Sequence, residues 1–185
     1  MAGHVCPFWA GYLLLSPLRR MLENPYTMLG PFVEEGMTVL EPGCGMGYFT
    51  LPLARMVGPG GRVVVVEIEP KMLSAVERRA RKAGLLDRIV LCLASGEGPG
   101  VEGFLESVDF APVLYMAHEV PDQAGFFLEL WKAIKSGGRM LVLEPKFHVT
   151  PNDFERAVAA AESAGFRIEK RFDGRFTRNV LMGKP

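Results

Sequence analysis

The sequence predicts an α/β protein built on a mostly parallel β-sheet, and three observations support this prediction. Short β-branched, apolar segments alternate along the chain with segments whose apolar residues recur at helical spacing. One of the strand-like segments, Gly61–Ile68, is apolar almost throughout, which is typical of a strand covered on both faces. The last two strand-like segments have no helix between them, so one antiparallel strand is expected at an edge of the sheet.

The first half of the chain contains three predicted strands and two predicted helices. Met37–Pro42 is a short β-branched run, and Tyr48–Gly58 places apolar residues at helical spacing up to a glycine that ends the helix. The strand Gly61–Ile68 follows. Pro70–Gly84 has proline in its first turn and glycine at its C-cap, which indicates a helix. Arg88–Ala94 is the third strand.

The second half continues the alternation and closes with a predicted hairpin. Val108–Ala117 has the composition of a fourth strand, although Pro112 is unusual in the middle of a sheet. A helix is expected at about 122–134. Pro151–Gly165 begins with Pro, Asn and Asp and ends with Gly, which indicates another helix. The remaining strands are Ser136–Pro145, Phe166–Phe172 and Arg178–Lys184.

Length and composition indicate one globular domain over residues 1–185, with residues 1–35 as an N-terminal helical or lid segment. Lys+Arg and Asp+Glu balance at 21 each, which makes nucleic acid an unlikely partner. The three cysteines form no paired motif, so neither a disulfide framework nor a metal site is expected. We find no signal peptide, and Phe8–Leu15 is too short to span a bilayer. The expected location is the cytoplasm.

One cluster of charge stands out near the C-terminus, where basic residues outnumber acidic ones. We interpret it as a solvated strand face in preference to a track for phosphates. Its basic members are Arg167, Lys170, Arg171, Arg175 and Arg178, interrupted by Glu169 and Asp173.

The stretch "VLEPGCGMGYFT" places a glycine-rich turn directly after the first predicted strand. The dinucleotide fingerprint G-x-G-x-x-G would need a third glycine at position 48, which holds Tyr48. The third glycine is instead Gly47, which follows Gly43 and Gly45. Glu41 stands just before the turn, where a carboxylate would repel a pyrophosphate. The turn is therefore better suited to a ligand that carries positive charge.

This acid-x-G-x-G-x-G pattern resembles motif I of the class I S-adenosylmethionine-dependent methyltransferases. The segment "SGGRMLVLEP" resembles the glycine turn and fifth strand of that family, and "HEVPD" (His118–Asp122) its segment after strand four. The resemblance extends from about Met37 to the end of the chain. It implies a Rossmann-like, seven-stranded sheet of order 3-2-1-4-5-7-6 with strand seven antiparallel, and S-adenosylmethionine as the cofactor.

The resemblance also implies a set of cofactor-binding residues. Glu67, at the tip of the second strand, is expected to accept hydrogen bonds from the ribose, and Ile68 to pack on the adenine. The family commonly has Asp after strand three, where this chain has Ser95 and, two residues on, Glu97; either side chain is a candidate for the adenine contact. The full set is Glu41, Gly43, Cys44, Gly45, Gly47, Glu67, Ile68, Ser95, Glu97 and Met116.

The resemblance implies transfer of a methyl group to a small acceptor, and His118 is the candidate general base. It follows strand four beside the expected methyl position, and a neutral imidazole accepts protons near pH 7. Alternatively, His118 caps the next helix or fills a polar niche. His148, after strand five, is the second candidate base. Cys44 is interpreted as a small loop residue and not as a reactive thiol.

The apolar residues of the N-terminal segment suggest a hydrophobic or aromatic acceptor if they form a lid. They are Phe8, Trp9, Tyr12 and Leu13. The same residues are equally consistent with ordinary core or with a peripheral membrane contact anchored by Arg19 and Arg20. Two other functions stay open at this point, namely a non-catalytic protein that binds the same cofactor and a nicotinamide-dependent oxidoreductase. The sequence does not predict the oligomeric state.

Overall fold

A computed structural model describes residues 23–94 and 101–185. The chain divides into two compact units; the described residues 23–94 form the N-terminal unit and residues 101–185 the C-terminal unit. Most of the predicted N-terminal segment, together with Ser95 and Glu97, lies outside the described residues.

The N-terminal unit alternates helices and parallel strands. Its elements are α1 (Pro25–Leu29), β1 (Thr38–Pro42), α2 (Thr50–Met56), β2 (Arg62–Glu67), α3 (Pro70–Ala83) and β3 (Ile89–Leu93). Strand β2 pairs in parallel with β1 on one side and with β3 on the other. Every residue of β1 and all but the first residue of β2 are buried, as the apolar run predicts.

Helix α3 confirms the predicted boundary signals. Pro70 occupies its first turn, and the side chain of Glu69 accepts a hydrogen bond from the backbone N–H of Lys71. At the other end, Gly84 adopts a φ of 65°, the left-handed conformation with which many helices end. These signals fix the helix that packs behind the glycine turn.

The C-terminal unit contains two further helices and the hairpin. Its main elements are β4 (Val108–Leu114), α4 (Gln123–Ala133), β5 (Ile134–Pro145), α5 (Pro151–Ser163), β6 (Arg167–Asp173) and β7 (Thr177–Gly183). Strands β4 and β5 pair in parallel, whereas β7 pairs antiparallel with both β5 and β6. The predicted terminal hairpin is thus confirmed, and so is the antiparallel strand.

Strand β4 is shorter than predicted. The prediction extends it to Ala117, but it ends at Leu114 because Tyr115 adopts a φ of 59°, a left-handed conformation that a continuing strand does not allow. A short 3₁₀ helix, Ala117–Glu119, follows. Pro112 does lie within the strand and is paired in register with Leu141. The sharp turn at Tyr115 places His118 in a compact turn beyond the strand.

The seven strands have the order β3-β2-β1-β4-β5-β7-β6, which confirms the predicted topology. Ligands of open α/β sheets bind outside the carboxyl ends of the parallel strands. The glycine turn follows β1, Glu67 ends β2, and the turn with His118 follows β4. Within the ranges described, no helix combines the length and the apolar composition needed to cross a bilayer.

Candidate cofactor loop and candidate catalytic pair

The turn after β1 needs glycine at three positions. Gly43, Gly45 and Gly47 have φ angles of 65°, 53° and 78°, a region that other residues enter only with strain. The backbone N–H of Gly43 donates to Val66 O at 2.8 Å, and that of Gly47 donates to Cys44 O at 2.9 Å. The glycines therefore specify a tight, internally bonded turn at the end of the strand.

The carboxylate of Glu67 holds this turn against the tip of β2. One of its oxygens accepts from the backbone N–H of Gly45 at 2.8 Å, and the other accepts from Ile68 at 2.9 Å and Glu69 at 3.1 Å. A carboxylate offers about four lone-pair sites, so capacity for a further donor remains. Next to it the side chain of Ile68 is 54% exposed, an apolar surface at the strand tip without cover from the fold.

Glu41 lies deeper than Glu67, under the turn. Its buried carboxyl accepts a hydrogen bond from the hydroxyl of Thr50, with Oγ1 and Oε2 2.6 Å apart. Burial raises the pKa of Glu41 from 4.5 to about 8; the bond from Thr50 opposes this and the charge of Glu67 adds to it. Burial also raises the pKa of the Cys44 thiol, which disfavours the reactive thiolate form.

The residues present fit S-adenosylmethionine on three observations. A methyl group built on Gly45 would meet no heavy atom within 4 Å, so the backbone faces open space there. Glu67 has acceptor capacity for a hydroxyl, and Ile68 offers an exposed apolar side chain beside it. Glu41 lies buried under the turn, and because burial raises its pKa to about 8 it retains its proton at neutral pH, so the expected negative charge at this position is not present in the ligand-free protein. Backbone, hydroxyl acceptor and apolar surface therefore occur together at the carboxyl ends of β1 and β2.

The open space at Gly45 leads to a testable prediction. We expect Gly45→Ala to cost about 1 kcal/mol of stability, because the left-handed φ disfavours alanine. The same change should weaken binding of S-adenosylhomocysteine by roughly 5- to 150-fold, the equivalent of about 1–3 kcal/mol of overpacking against the ligand. Chemical denaturation and isothermal titration calorimetry measure the two effects.

Gly84→Ala is the matched control for this variant. Gly84 also has a positive φ of 65° and open space at its Cβ position, but it lies at the end of α3. It should lose similar stability and keep full affinity for the ligand. Equal affinity of both variants and the wild type would show that the ligand does not approach Gly45.

A second group of residues, in the C-terminal unit, forms the candidate catalytic pair His118–Glu144. The ring Nδ1 of His118 lies 2.7 Å from Oε2 of Glu144, and the backbone N–H of His118 donates to Oε1 at 3.2 Å. The side chain of Glu144 is 1% exposed, whereas that of His118 is 16% exposed. One buried carboxylate thus fixes both the backbone and the ring of the histidine.

This contact sets the chemistry of the imidazole. The hydrogen bond to Glu144 raises the pKa of His118 above 6.5, against a smaller opposing effect of burial. With Nδ1 bonded to the carboxylate, the neutral ring carries its proton there and presents Nε2 as the acceptor. A neutral His118 can therefore take up a proton at Nε2.

His118 opens into a cleft of about 280 Å³ at the carboxyl ends of β4 and β5. The ring of His148 packs edge to face on that of His118, with centroids 4.9 Å apart. The cleft is mostly polar; its lining residues are His118, Gln123, His148, Val149, Asp153 and Arg156. Both predicted candidate bases thus lie in one cleft, and only His118 is bonded to a buried carboxylate among the described residues.

The structure excludes one alternative role that the sequence allows for His118. His118 does not cap the next helix, because Asp122 is the N-cap of α4 and accepts from the N–H of Gly125. Met116 is half-buried just before the 3₁₀ helix, and its assignment to the cofactor remains a prediction.

Sequence reasoning missed Glu144. The signal that could have found it is its position near the end of an apolar strand. Glu41 and Glu67 have the same kind of position in their own strands.

A sheet of this order, with a glycine turn after β1 and acids at the tips of β1 and β2, defines the class I methyltransferase architecture. The chain matches the methyltransferase domain family over residues 33–173. It belongs to this family of S-adenosylmethionine-dependent methyltransferases, whose members use that molecule as methyl donor.

Similar proteins give the context for this assignment. A Ubiquinone/menaquinone biosynthesis C-methyltransferase UbiE of Pectobacterium carotovorum is 30% identical over 113 residues, which are 60% of this chain and 44% of the relative. A "Probable cobalt-precorrin-6B C(15)-methyltransferase (decarboxylating)" of Saccharolobus solfataricus is 30% identical over 135 residues, 72% of this chain and 63% of the relative. The matches to these curated relatives thus span less than two thirds of each relative.

Solved structures confirm the fold. The crystal structure of a SAM-dependent methyltransferase from Aquifex aeolicus aligns with a TM-score of 0.85 and 23% identity, over 96% of this chain and 98% of that one. At this identity the likeness establishes the fold alone.

Proposed function

We propose that this protein transfers a methyl group from S-adenosylmethionine to a small aromatic or otherwise hydrophobic acceptor that carries an ionisable hydroxyl. The observation that carries this proposal is the His118–Glu144 pair, which opens into a cleft within a methyltransferase fold. The names of the first relatives, which refer to C-methylation in quinone biosynthesis, support an aromatic acceptor.

The glycine turn and the two strand-tip acids hold the cofactor in this proposal. When bound, the cofactor supplies a methyl group on a sulfonium sulfur, which is already reactive. Gly45 lets the ligand approach the backbone, Glu67 accepts from the ribose, and Ile68 covers the adenine. The family resemblance assigns further contacts with the cofactor to Glu41, Gly43, Cys44 and Gly47 in this loop. Outside the loop, contacts of the cofactor with Ser95, Glu97 and Met116 stay predictions.

His118 activates the acceptor in this proposal. Its Nε2 removes the proton of the acceptor hydroxyl, while Glu144 holds the ring in place and stabilises the imidazolium that forms. Loss of the proton leaves a phenolate or enolate, whose oxygen or adjacent carbon is the nucleophile for the methyl group. The base is therefore needed for hydroxyl acceptors and gives no advantage to a thiolate.

The lining of the cleft refines the kind of acceptor. Five of its six residues are polar or charged, and Val149 is the exception. The cleft therefore suits the polar, oxygen-bearing side of an acceptor and not its apolar side. An aromatic ring with a hydroxyl substituent satisfies both this lining and the chemistry of His118.

Ligand titration followed by a turnover assay tests the proposal. Calorimetry with S-adenosylhomocysteine and, separately, with NADH compares the two cofactor classes. Turnover is then measured by mass spectrometry over phenols, hydroquinones, carboxylic acids, amines and thiols. We expect binding of S-adenosylhomocysteine and methylation of the hydroxyl-bearing aromatic compounds, with a rate that depends on His118.

The alternatives give different results in these assays. Binding of NADH without S-adenosylhomocysteine would point to an oxidoreductase and overturn the proposal. Binding of S-adenosylhomocysteine without turnover on any acceptor would favour a protein that senses the cofactor. Turnover of thiols or amines in preference to hydroxyl compounds would leave the activity in place and refute the assigned acceptor.

A further inference from the structure

Two aromatic side chains project from the edge of the C-terminal unit where β5 and β7 end. Phe147 is 85% exposed and Phe176 is 43% exposed. The backbone N–H of Lys146 donates to Phe176 O at 2.8 Å, which extends the β5–β7 ladder past its last pair, Pro145 and Thr177. The two phenylalanines therefore lie on adjacent chain segments at one tip, which we call the aromatic tip (residues 146–147 and 174–176).

The aromatic tip is a fixed piece of structure. The ammonium of Lys146 donates to Gly174 O at 3.1 Å and pairs with Asp173 at 3.0 Å, which joins the segment after β5 to the β6–β7 turn. The backbone segments that carry the two phenylalanines are thus joined, while both side chains are exposed to solvent. Exposure of a large apolar ring is unfavourable in water, and two such rings on adjacent segments favour a surface that contacts something else.

The charge around the tip is positive. The tip and its chain neighbours Asp173 and Arg178 carry three basic side chains, those of Lys146, Arg175 and Arg178, against one acidic side chain. Asp173 is paired with Lys146, and Arg171 pairs with Glu155 at 2.7 Å. Arg175 lies over the ring of Phe176, 5.0 Å from its centroid, and makes no ion pair with residues 23–94 or 101–185.

We propose that the aromatic tip docks on the surface of a membrane that contains anionic lipids. Exposed apolar rings surrounded by arginine and lysine match such a surface, where the rings enter the acyl boundary and the cations meet lipid phosphates. A protein partner needs about 800 Å² on each side, far more than two side chains supply. The absence of polar groups on both rings favours the lipid boundary over hydrogen-bonded recognition of bases.

The aromatic tip adjoins the cleft with His118 along the chain, and this suggests what the docking is for. His148, the residue after Phe147, lines the cleft with His118. Docking at Phe147 would hold this cleft close to the lipid surface, where hydrophobic acceptors concentrate. This consequence rests on the proposed function, whereas the docking itself does not.

Co-sedimentation with vesicles tests the docking directly. We expect the protein to bind vesicles of phosphatidylcholine mixed with phosphatidylglycerol, to bind pure phosphatidylcholine weakly, and to be released by salt. Phe147→Ser with Phe176→Ser should reduce the affinity roughly tenfold or more for each ring removed. Arg175→Gln should reduce it about fivefold. Both rings are exposed, so circular dichroism is expected to show an unchanged fold.

Two matched variants make the test specific. Leu105 is 59% exposed and lies outside the tip, so Leu105→Ser should bind vesicles like the wild type. In a gain-of-signal experiment, Phe147→Trp should show a blue shift of its fluorescence on anionic vesicles, and Leu105→Trp should not.

Equal binding of the wild type and the double serine variant, or no vesicle binding at all, would overturn the docking. Binding of single-stranded RNA that needs Phe147 and Arg175, without vesicle binding, would also overturn it and assign the tip to nucleic acid. Vesicle binding is independent of turnover. Loss of methyltransferase activity in all assays would therefore refute the proposed function and leave the docking result standing.

Discussion

Replacement of His118 by glutamine is expected to lower kcat by about 10²–10⁴-fold on a hydroxyl-bearing aromatic acceptor, the usual contribution of a general base. Glutamine keeps a polar side chain of similar length but has no nitrogen that takes up a proton at neutral pH. Because the proposed role concerns the acceptor only, affinity for S-adenosylhomocysteine should stay at the wild-type value. Steady-state kinetics and calorimetry on the same preparation measure both quantities.

Two further variants distinguish a specific role of His118 and Glu144 from a general effect of changing the cleft. His148→Gln changes the other imidazole of the same cleft and should have little effect, because Glu144 bonds to His118. Glu144→Gln should move the pKa of His118 back toward 6.5, since the hydrogen bond from the ring to the carboxylate is the main cause of its elevation. The rising limb of the pH–rate profile then shifts to lower pH, with a lower plateau because the base is weaker. Wild-type turnover in His118→Gln, or an unmoved profile in Glu144→Gln, would contradict the role of the pair.

The second large effect concerns Glu41 and the stability of the ligand-free protein. Its pKa is about 8 in the folded protein against an ordinary value of 4.5, so the folded state retains a proton that the unfolded chain loses in this interval. The free energy of unfolding should therefore fall as pH rises from about 4.5 to about 8, by up to roughly 5 kcal/mol for this group. Glu41→Gln keeps an oxygen to accept the hydrogen bond from Thr50 and carries no proton to lose. Its unfolding free energy should exceed that of the wild type at pH 9 by a few kcal/mol, and by much less at pH 5.

Urea denaturation at several pH values measures this difference without cofactor. Other groups titrate in the same range, among them His118, so the informative quantity is the difference between wild type and variant at each pH. Glu77→Gln is the matched control because Glu77 lies at the surface in an ion pair with Arg81. It should follow the wild-type curve. Parallel curves for the wild type and Glu41→Gln would mean that Glu41 is ionised at neutral pH in the folded protein.

The order of the elements was predictable because the main signals are local. Pro70 and Gly84 mark the ends of α3, and the apolar run of β2 predicts a strand covered on both faces. The end of β4 was not predictable, since Tyr115 takes up a left-handed φ in a place where residue type favours extended backbone. The strand order was implied by family resemblance alone, because periodicity does not say which strands are neighbours.

The candidate site shows the same division between local and long-range information. The tetrapeptide "VLEP" occurs twice, at residues 39–42 and 142–145, and each time its glutamate is the last residue but one of a strand whose C-terminal part is buried. Glu41 meets the hydroxyl of Thr50 nine residues on, whereas Glu144 meets His118, which is 26 residues earlier in the chain. The motif therefore predicts a buried acid, but its partner and its chemistry depend on the tertiary fold.

The bond between Glu67 and Gly45 has a consequence for protein engineering. In the proposed function Glu67 accepts a hydrogen bond from the ribose, so a designer who wishes to fit an enlarged cofactor analogue would alter this acid at the tip of β2. In this chain the same carboxylate also anchors the glycine turn through the N–H of Gly45. Such a redesign would have to supply a new acceptor for the N–H of Gly45 as well as a new ligand contact. The reason is that one side chain both anchors the glycine turn and, in the proposed function, selects the ligand.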